Sequence, residues 1–117
     1  MTHNQILLTD GHLLVSRLKH ANNFFTRLVG LMGTKELLDS HGLLITPCQQ
    51  IHTHFMRYPL DIIFLDKNMV VLEKLTALKP WKFTRFIKKA KHVLEVPANA
   101  ANKVKVGDQL MLSEVNN

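Results

Sequence analysis

Cysteine is nearly absent from this chain: one thiol, Cys48, among 117 residues. A lone cysteine cannot close an intrachain disulfide, so the fold must rest on a packed core, and a chain without a disulfide framework suits a reducing compartment. Long apolar runs are missing too. None approaches the roughly 18 residues that a membrane-spanning helix needs. The opening MTHNQILLTDG also lacks the basic segment and long apolar segment of an export signal. We expect a soluble, cytoplasmic protein without a transmembrane segment. No repeat, low-complexity tract or linker interrupts the sequence, which reads as a single domain over residues 1–117. No motif completes a catalytic set, which leaves the molecular function unknown and favours a binding module over an enzyme. Acids are absent between Glu73 and Glu95, where Lys74, Lys79, Lys82, Arg85, Lys88, Lys89 and Lys91 supply seven of the 15 Lys and Arg residues. With a net charge of +6, that local imbalance raises the question of anionic partners.

What is present is a β-rich pattern. QILLT and HLLVSRLK flank Asp10-Gly11, a pair that tolerates the positive φ angles of a two-residue type I′ turn, and so predict a hairpin over residues 5–19. Asn22 or Asn23 can cap a helix from about Asn23 to Leu31, where Phe24, Phe25, Leu28, Leu31 and Met32 share one face. A short helical turn follows before Gly42. GLLITP, the segment around Cys48, and LDIIFLD, which turns through Asp66-Lys67-Asn68 into MVVLEKLTAL, are expected as consecutive strands. Residues 80–90, PWKFTRFIKKA, suit a loop or a short basic helix. HVLEVP reads as a strand, ANAANKVK as a short helix or turn, and DQLMLSE as the closing strand after Gly107. About seven short strands without regular βαβ alternation predict a mainly β fold. We expect an antiparallel β-sandwich or flattened barrel with a helical insertion after the first hairpin.

The stretch from Pro47 to Asp66, PCQQIHTHFMRYPLDIIFLD, concentrates the unusual side chains. Extended, it would place Cys48, Gln50, His52, His54 and Met56 on one face and Ile51, Thr53 and Phe55 on the other. LDIIFLD reads as a central strand buried on both faces. Asp61 within it needs a partner such as His52, Arg57 or a backbone N–H.

Several pieces of the chain stand in one family's order and separation. They are Arg27 with Gly30-Leu31-Met32, then Gly42-Leu43-Leu44, then Cys48-x-x-Ile51-His52-Thr53 with Met56-Arg57, then Leu60-Asp61-x-x-Phe64-Leu65-Asp66. Further on come Val93-Leu94-Glu95-Val96-Pro97-Ala98 and Val106-Gly107-Asp108. From about Ala21 to Leu112 the chain resembles the uncharacterised family called domain of unknown function 192. The resemblance implies a small β-rich, jelly-roll-like sandwich with a helical insertion, and it implies no activity. His54 and Phe55 stand where the family tends to have an aromatic residue and then a glycine. Asn99 stands where it tends to have a glycine.

Four constellations could carry chemistry. Arg27, His52, Thr53, Met56, Arg57 and Asp61 could line a pocket for a small polar or anionic ligand; the alternative is that Arg27 and Asp61 form a buried structural pair. Cys48, His52 and His54 offer a thiolate and two imidazoles that would suit zinc or copper(I). A Cys48, His52 and Asp61 nucleophilic triad needs sulfur and imidazole in contact, yet four residues of extended strand span roughly 13 Å. In the basic stretch 79–91, Lys82, Arg85, Lys88 and Lys89 interleave with Trp81, Phe83 and Phe86, a pattern suited to nucleic acid or an anionic surface. Glu95, in an apolar strand, is either a pocket group or a structural partner.

Overall fold

The computed structural model describes residues 2–21, 37, 39–53 and 56–116. Seven strands occur among them: β1 (Thr2–Leu8), β2 (Leu13–Ala21), β3 (His41–Ile45), β4 (Leu60–Leu65), β5 (Val71–Leu78), β6 (His92–Pro97) and β7 (Leu110–Asn116). The fold is mainly β, and no helix occurs among the described residues. The helix expected from Asn23 to Leu31, with Arg27 on it, lies outside them.

The strands form one mixed sheet in the order β5-β4-β6-β3-β2-β1-β7. All neighbouring pairs are antiparallel except β2 and β3, which run parallel. The parallel β2–β3 pair is the one departure from the antiparallel pairing that the sequence leads us to expect. β2 ends at Ala21 and β3 begins at His41, a separation in sequence long enough for parallel pairing, where a tight hairpin would force the strands antiparallel. The expected adjacency of GLLITP and LDIIFLD is corrected as well. The two edges of β4 are taken by β5 and β6, so β6 inserts between β4 and β3.

The hairpins form where the sequence places them, with different turn geometry. Gly11 N–H donates to Leu8 O and Leu8 N–H to His12 O, so three residues turn the chain. Only Gly11, at φ +90°, is left-handed. That is a three-residue loop closed by a left-handed residue, not a type I′ turn. The β4–β5 turn repeats it: Met69 N–H donates to Asp66 O, Asp66 N–H to Val70 O, and Met69 takes the left-handed position. In both turns an aspartate carboxylate accepts the N–H two residues on, of His12 and Asn68, at 2.8 Å. That local bond is what favours aspartate there.

Every residue of β4 is buried, because both faces of the strand carry a core. Leu60, Ile62 and Phe64 join one cluster with Leu43, Ile45 and Val93. Ile63 and Leu65 join another with Leu44, Leu94, Val96, Val15 and Ile6. Strict alternation along β3, β4 and β6 thus feeds two apolar layers. Each fully buried Leu, Ile or Phe contributes about 1.5–3 kcal/mol relative to exposure. Although β5 and β7 are the outermost strands, their first residues meet. Val71 N–H donates to Asp108 O, Leu110 N–H to Met69 O, and Val70 bridges Gln109.

Candidate functional site

The segment after β3 is not the long strand its alternation suggests. It makes a single isolated bridge, His52 to Phe83, within a zipper between residues 48–53 and 81–91. Thr53 N–H donates to Lys82 O, Thr84 N–H to Ile51 O, Ile87 N–H to Gln49 O and Cys48 N–H to Lys91 O. Side chains add to it: Gln50 Nε2 donates to Thr84 O and Gln49 Nε2 to Lys88 O. These bonds hold the basic stretch as an ordered loop rather than a helix. Alternation survives locally, with Ile51 and Thr53 buried and Gln50 and His52 exposed.

Thr53 is the pin of the loop. Its Oγ1 donates to Lys79 O at 2.7 Å and accepts Lys82 N–H at 2.9 Å, while its carbonyl accepts Trp81 N–H. Trp81 sits at φ +65°, a left-handed conformation that costs a non-glycine residue about 1–2 kcal/mol. The surrounding bonds hold it there, and such residues concentrate at functional sites.

The loop has two distinct sides. Thr84, Ile87 and Ala90 are buried, whereas Trp81, Phe83 and Phe86 are 58%, 69% and 56% exposed. His52 lies against Phe83, with ring centroids 5.9 Å apart. Lys82, between Trp81 and Phe83 in the chain, and Lys88 and Lys89, just after Phe86, are exposed as well. Arg85 is exposed too, but its guanidinium is paired with Glu73 at 2.8 Å.

The remaining pocket residues do not gather around His52. Asp61 is fully buried, and its two carboxylate oxygens accept the N–H groups of Ala77 and Ala101 at 2.8 and 3.0 Å. Backbone donors therefore satisfy the requirement that the sequence raises, in place of His52 or Arg57. Asp61 shares the face of Ile63 and Leu65, while Met56 and Cys48 pack against the cluster on the opposite face of β4. Arg57 is exposed, just beyond a turn closed by Met56 N–H to Thr53 O.

The same placement separates the Cys48, His52 and Asp61 triad. The Cys48 thiol donates to Gln50 O at 3.3 Å. His54 and Arg27 lie outside the described residues. Among the described residues no three His, Cys, Asp or Glu side chains group as a metal set, and no helix is long and apolar enough to cross a membrane.

Two titrating groups have shifted affinities for protons. Glu95 lies between Leu43 on β3 and Ile62 on β4, and burial pushes its carboxyl up to about 7. No hydrogen bond or ion pair reaches that carboxyl among the described residues, so the structural-partner reading of Glu95 is not supported there. His92 Nδ1 lies 2.6 Å from Thr46 Oγ1, which is 3.0 Å from His20 Nε2. Burial, then the positive neighbours His20 and Lys91, hold His92 below its usual range.

The model of the family described as Uncharacterized ACR, domain of unknown function 192, matches residues 5–112. The chain belongs to that family. A UPF0127 protein of Pyrococcus furiosus is 34% identical over 110 residues, covering 88% of this chain and 92% of the relative. Another UPF0127 protein, from Pyrococcus abyssi, is 36% identical over 98 residues, covering 77% and 80%. The crystal structure of a protein of unknown function from Novosphingobium aromaticivorans matches with a TM-score of 0.78. Its identity is 24%, over 92% of this chain and 82% of that one, a likeness that speaks for the fold alone. The family is an uncharacterised one and lends no activity.

Sequence reasoning missed the His20, Thr46 and His92 cluster and the basic residues of β2 and β3. No local motif marks them, because sheet pairing alone brings them together. The double role of Thr53 was also missed. The alternation that sets Thr53 on the face of Ile51, opposite His52, carried the signal.

Proposed function

We propose that the protein is a non-enzymatic binding module that takes single-stranded polynucleotide on the loop 79–91, with His52 and Arg57 beside it. One observation carries the reading: Trp81, Phe83 and Phe86 are exposed on the outer side of a loop whose inner side is pinned into the core. Lys82 stands between two of these rings, and Lys88 and Lys89 follow the third; all three are exposed. Bases stack on such rings while lysines attract the phosphates. Three large apolar rings exposed within six residues favour an interaction site over a plain solvated face. Of the pocket residues, Thr53, Met56 and Asp61 are engaged inside the fold, which leaves His52 and Arg57 as contributors. The same reading takes the chain as one domain whose sheet rolls into a flattened barrel, its outer strands joined at residues 69–71 and 108–110. A cytoplasmic setting, where Cys48 stays reduced, belongs to the proposal.

Trp81 is the chain's one tryptophan, so its fluorescence reports on the surface. An oligothymidylate should quench it saturably, with a log–log salt slope of about −2 if three lysines meet phosphates. The double variant Lys88→Glu, Lys89→Glu should bind about tenfold more weakly or worse. Quenching by anionic vesicles alone, or oligonucleotide binding indifferent to salt, refutes the proposal.

A further inference from the structure

Strands β1, β2 and β3 carry a concave feature, built from residues far apart in the chain. The parallel register sets Arg17 beside His41, Leu18 beside Gly42 and Lys19 beside Leu43. Leu18 packs against the cluster containing Val15 and Val96, and a Cβ on Gly42 would meet those same two valines at 3.1 to 3.3 Å. Strand alternation therefore sends Arg17, Lys19, His41 and Leu43 from the opposite face, with the backbone of Leu18 and Gly42 between them. They surround a cavity of about 240 Å³ that Leu37 and His3 from β1 complete.

The lining is divided by chemistry. Leu37 and Leu43 supply an apolar wall, while Arg17, Lys19, His3 and His41 supply basic groups, and among the described residues no Asp or Glu lines the cavity. His3 Nδ1 is buried without a hydrogen-bond partner, the one such side-chain atom among the described residues. Buried polar atoms are nearly always paired, so the imidazole of His3, a lining residue of the cavity, keeps hydrogen-bonding capacity that no described residue uses.

We infer that this cavity binds a small organic anion, a carboxylate carrying a compact apolar group. The Arg17 guanidinium can meet a carboxylate through two parallel N–H···O bonds. Lys19 adds a second positive charge and His3 a further hydrogen-bonding group, while the apolar remainder of the ligand rests on Leu37 and Leu43. A volume of 240 Å³ equals about eight water molecules of liquid and falls below the roughly 300–1,000 Å³ of sites for drug-sized ligands. It suits a single-ring acid and is too small for a nucleotide. The cavity shares no residue with the loop 79–91, and the inference does not depend on that loop's role.

Benzoate is the probe, added to the full chain while the imidazole signals of His3 and His41 are followed by NMR. Both signals should shift saturably. Benzyl alcohol, which lacks the charge, and inorganic phosphate, which lacks the ring, should bind more weakly. Arg17 and Lys19 are exposed, so replacing them leaves the core intact. R17Q should lower benzoate affinity by about tenfold or more, the loss of a charge-assisted pair. The Lys88→Glu, Lys89→Glu variant should bind benzoate as the parent does. The inference is overturned if benzoate gives no saturable shift, or if benzyl alcohol or phosphate binds as tightly. Equal affinity of the parent and both R17Q and K19Q would overturn it too.

Discussion

Replacing Glu95 by glutamine should stabilise the protein at alkaline pH and do little at acid pH. The Glu95 carboxyl is buried between Leu43 and Ile62, and desolvation raises it from 4.5 to about 7. Between those values the native state holds a proton that the unfolded chain has released, so stability falls as the pH rises through this window. Above it, the buried charge costs about 3 kcal/mol, since each pKa unit is worth about 1.4 kcal/mol. Glutamine keeps the shape and removes the charge. The stability difference between Glu95→Gln and the parent should therefore widen by about 3 kcal/mol in favour of the variant from acid to alkaline pH. Urea denaturation across a pH series measures it. His92 works in the opposite sense: held below 6.5, it costs stability as the pH falls. Because it is common to both proteins, it cancels in the difference. A gap that stays flat with pH would refute the argument, for it would mean that the Glu95 carboxylate is solvated or paired in the native state.

Three further substitutions test the packing and the loop. Asp61→Ala leaves the Ala77 and Ala101 N–H groups without their acceptor and should cost about 2–4 kcal/mol in urea denaturation; a loss well under that range would show that water or a neighbour replaces the carboxylate. Gly42→Ala drives a Cβ to 3.1 Å from Val15 Cγ2 and should cost about 1–3 kcal/mol. Adding Val15→Ala should recover part of that loss in a double-mutant cycle, whereas simple additivity would exclude the clash. Thr53→Val removes the hydroxyl that ties Lys79 to Lys82, and should cost about 1–3 kcal/mol and alter the emission of Trp81. An unchanged spectrum and an unchanged urea midpoint would show that the loop is held without that hydroxyl.

Local structure was legible in the residues themselves. The unbroken run LDIIFL read as a strand covered on both faces, and Asp10-Gly11 and Asp66-Lys67-Asn68 marked both turns, because side-chain hydrophobicity and turn chemistry are properties of a short segment. The need of Asp61 for a partner was legible for the same reason. That its partners are the N–H groups of Ala77 and Ala101 was not, since every residue but proline carries such a group. The basic stretch could be either loop or helix until pairing with residues 48–53 was known.

By itself, then, the sequence determined the family, the β-rich composition of the fold, the places where the chain turns and the excess of positive charge between Glu73 and Glu95. Only the tertiary structure decided that β6 lies between β3 and β4, that β2 and β3 run parallel, that Asp61 faces away from Met56, and that Arg17, His41 and His3 share one cavity. Backbone hydrogen bonds pair strands without reading their side chains. Which residues become neighbours is settled by how the whole chain buries its two apolar layers at once.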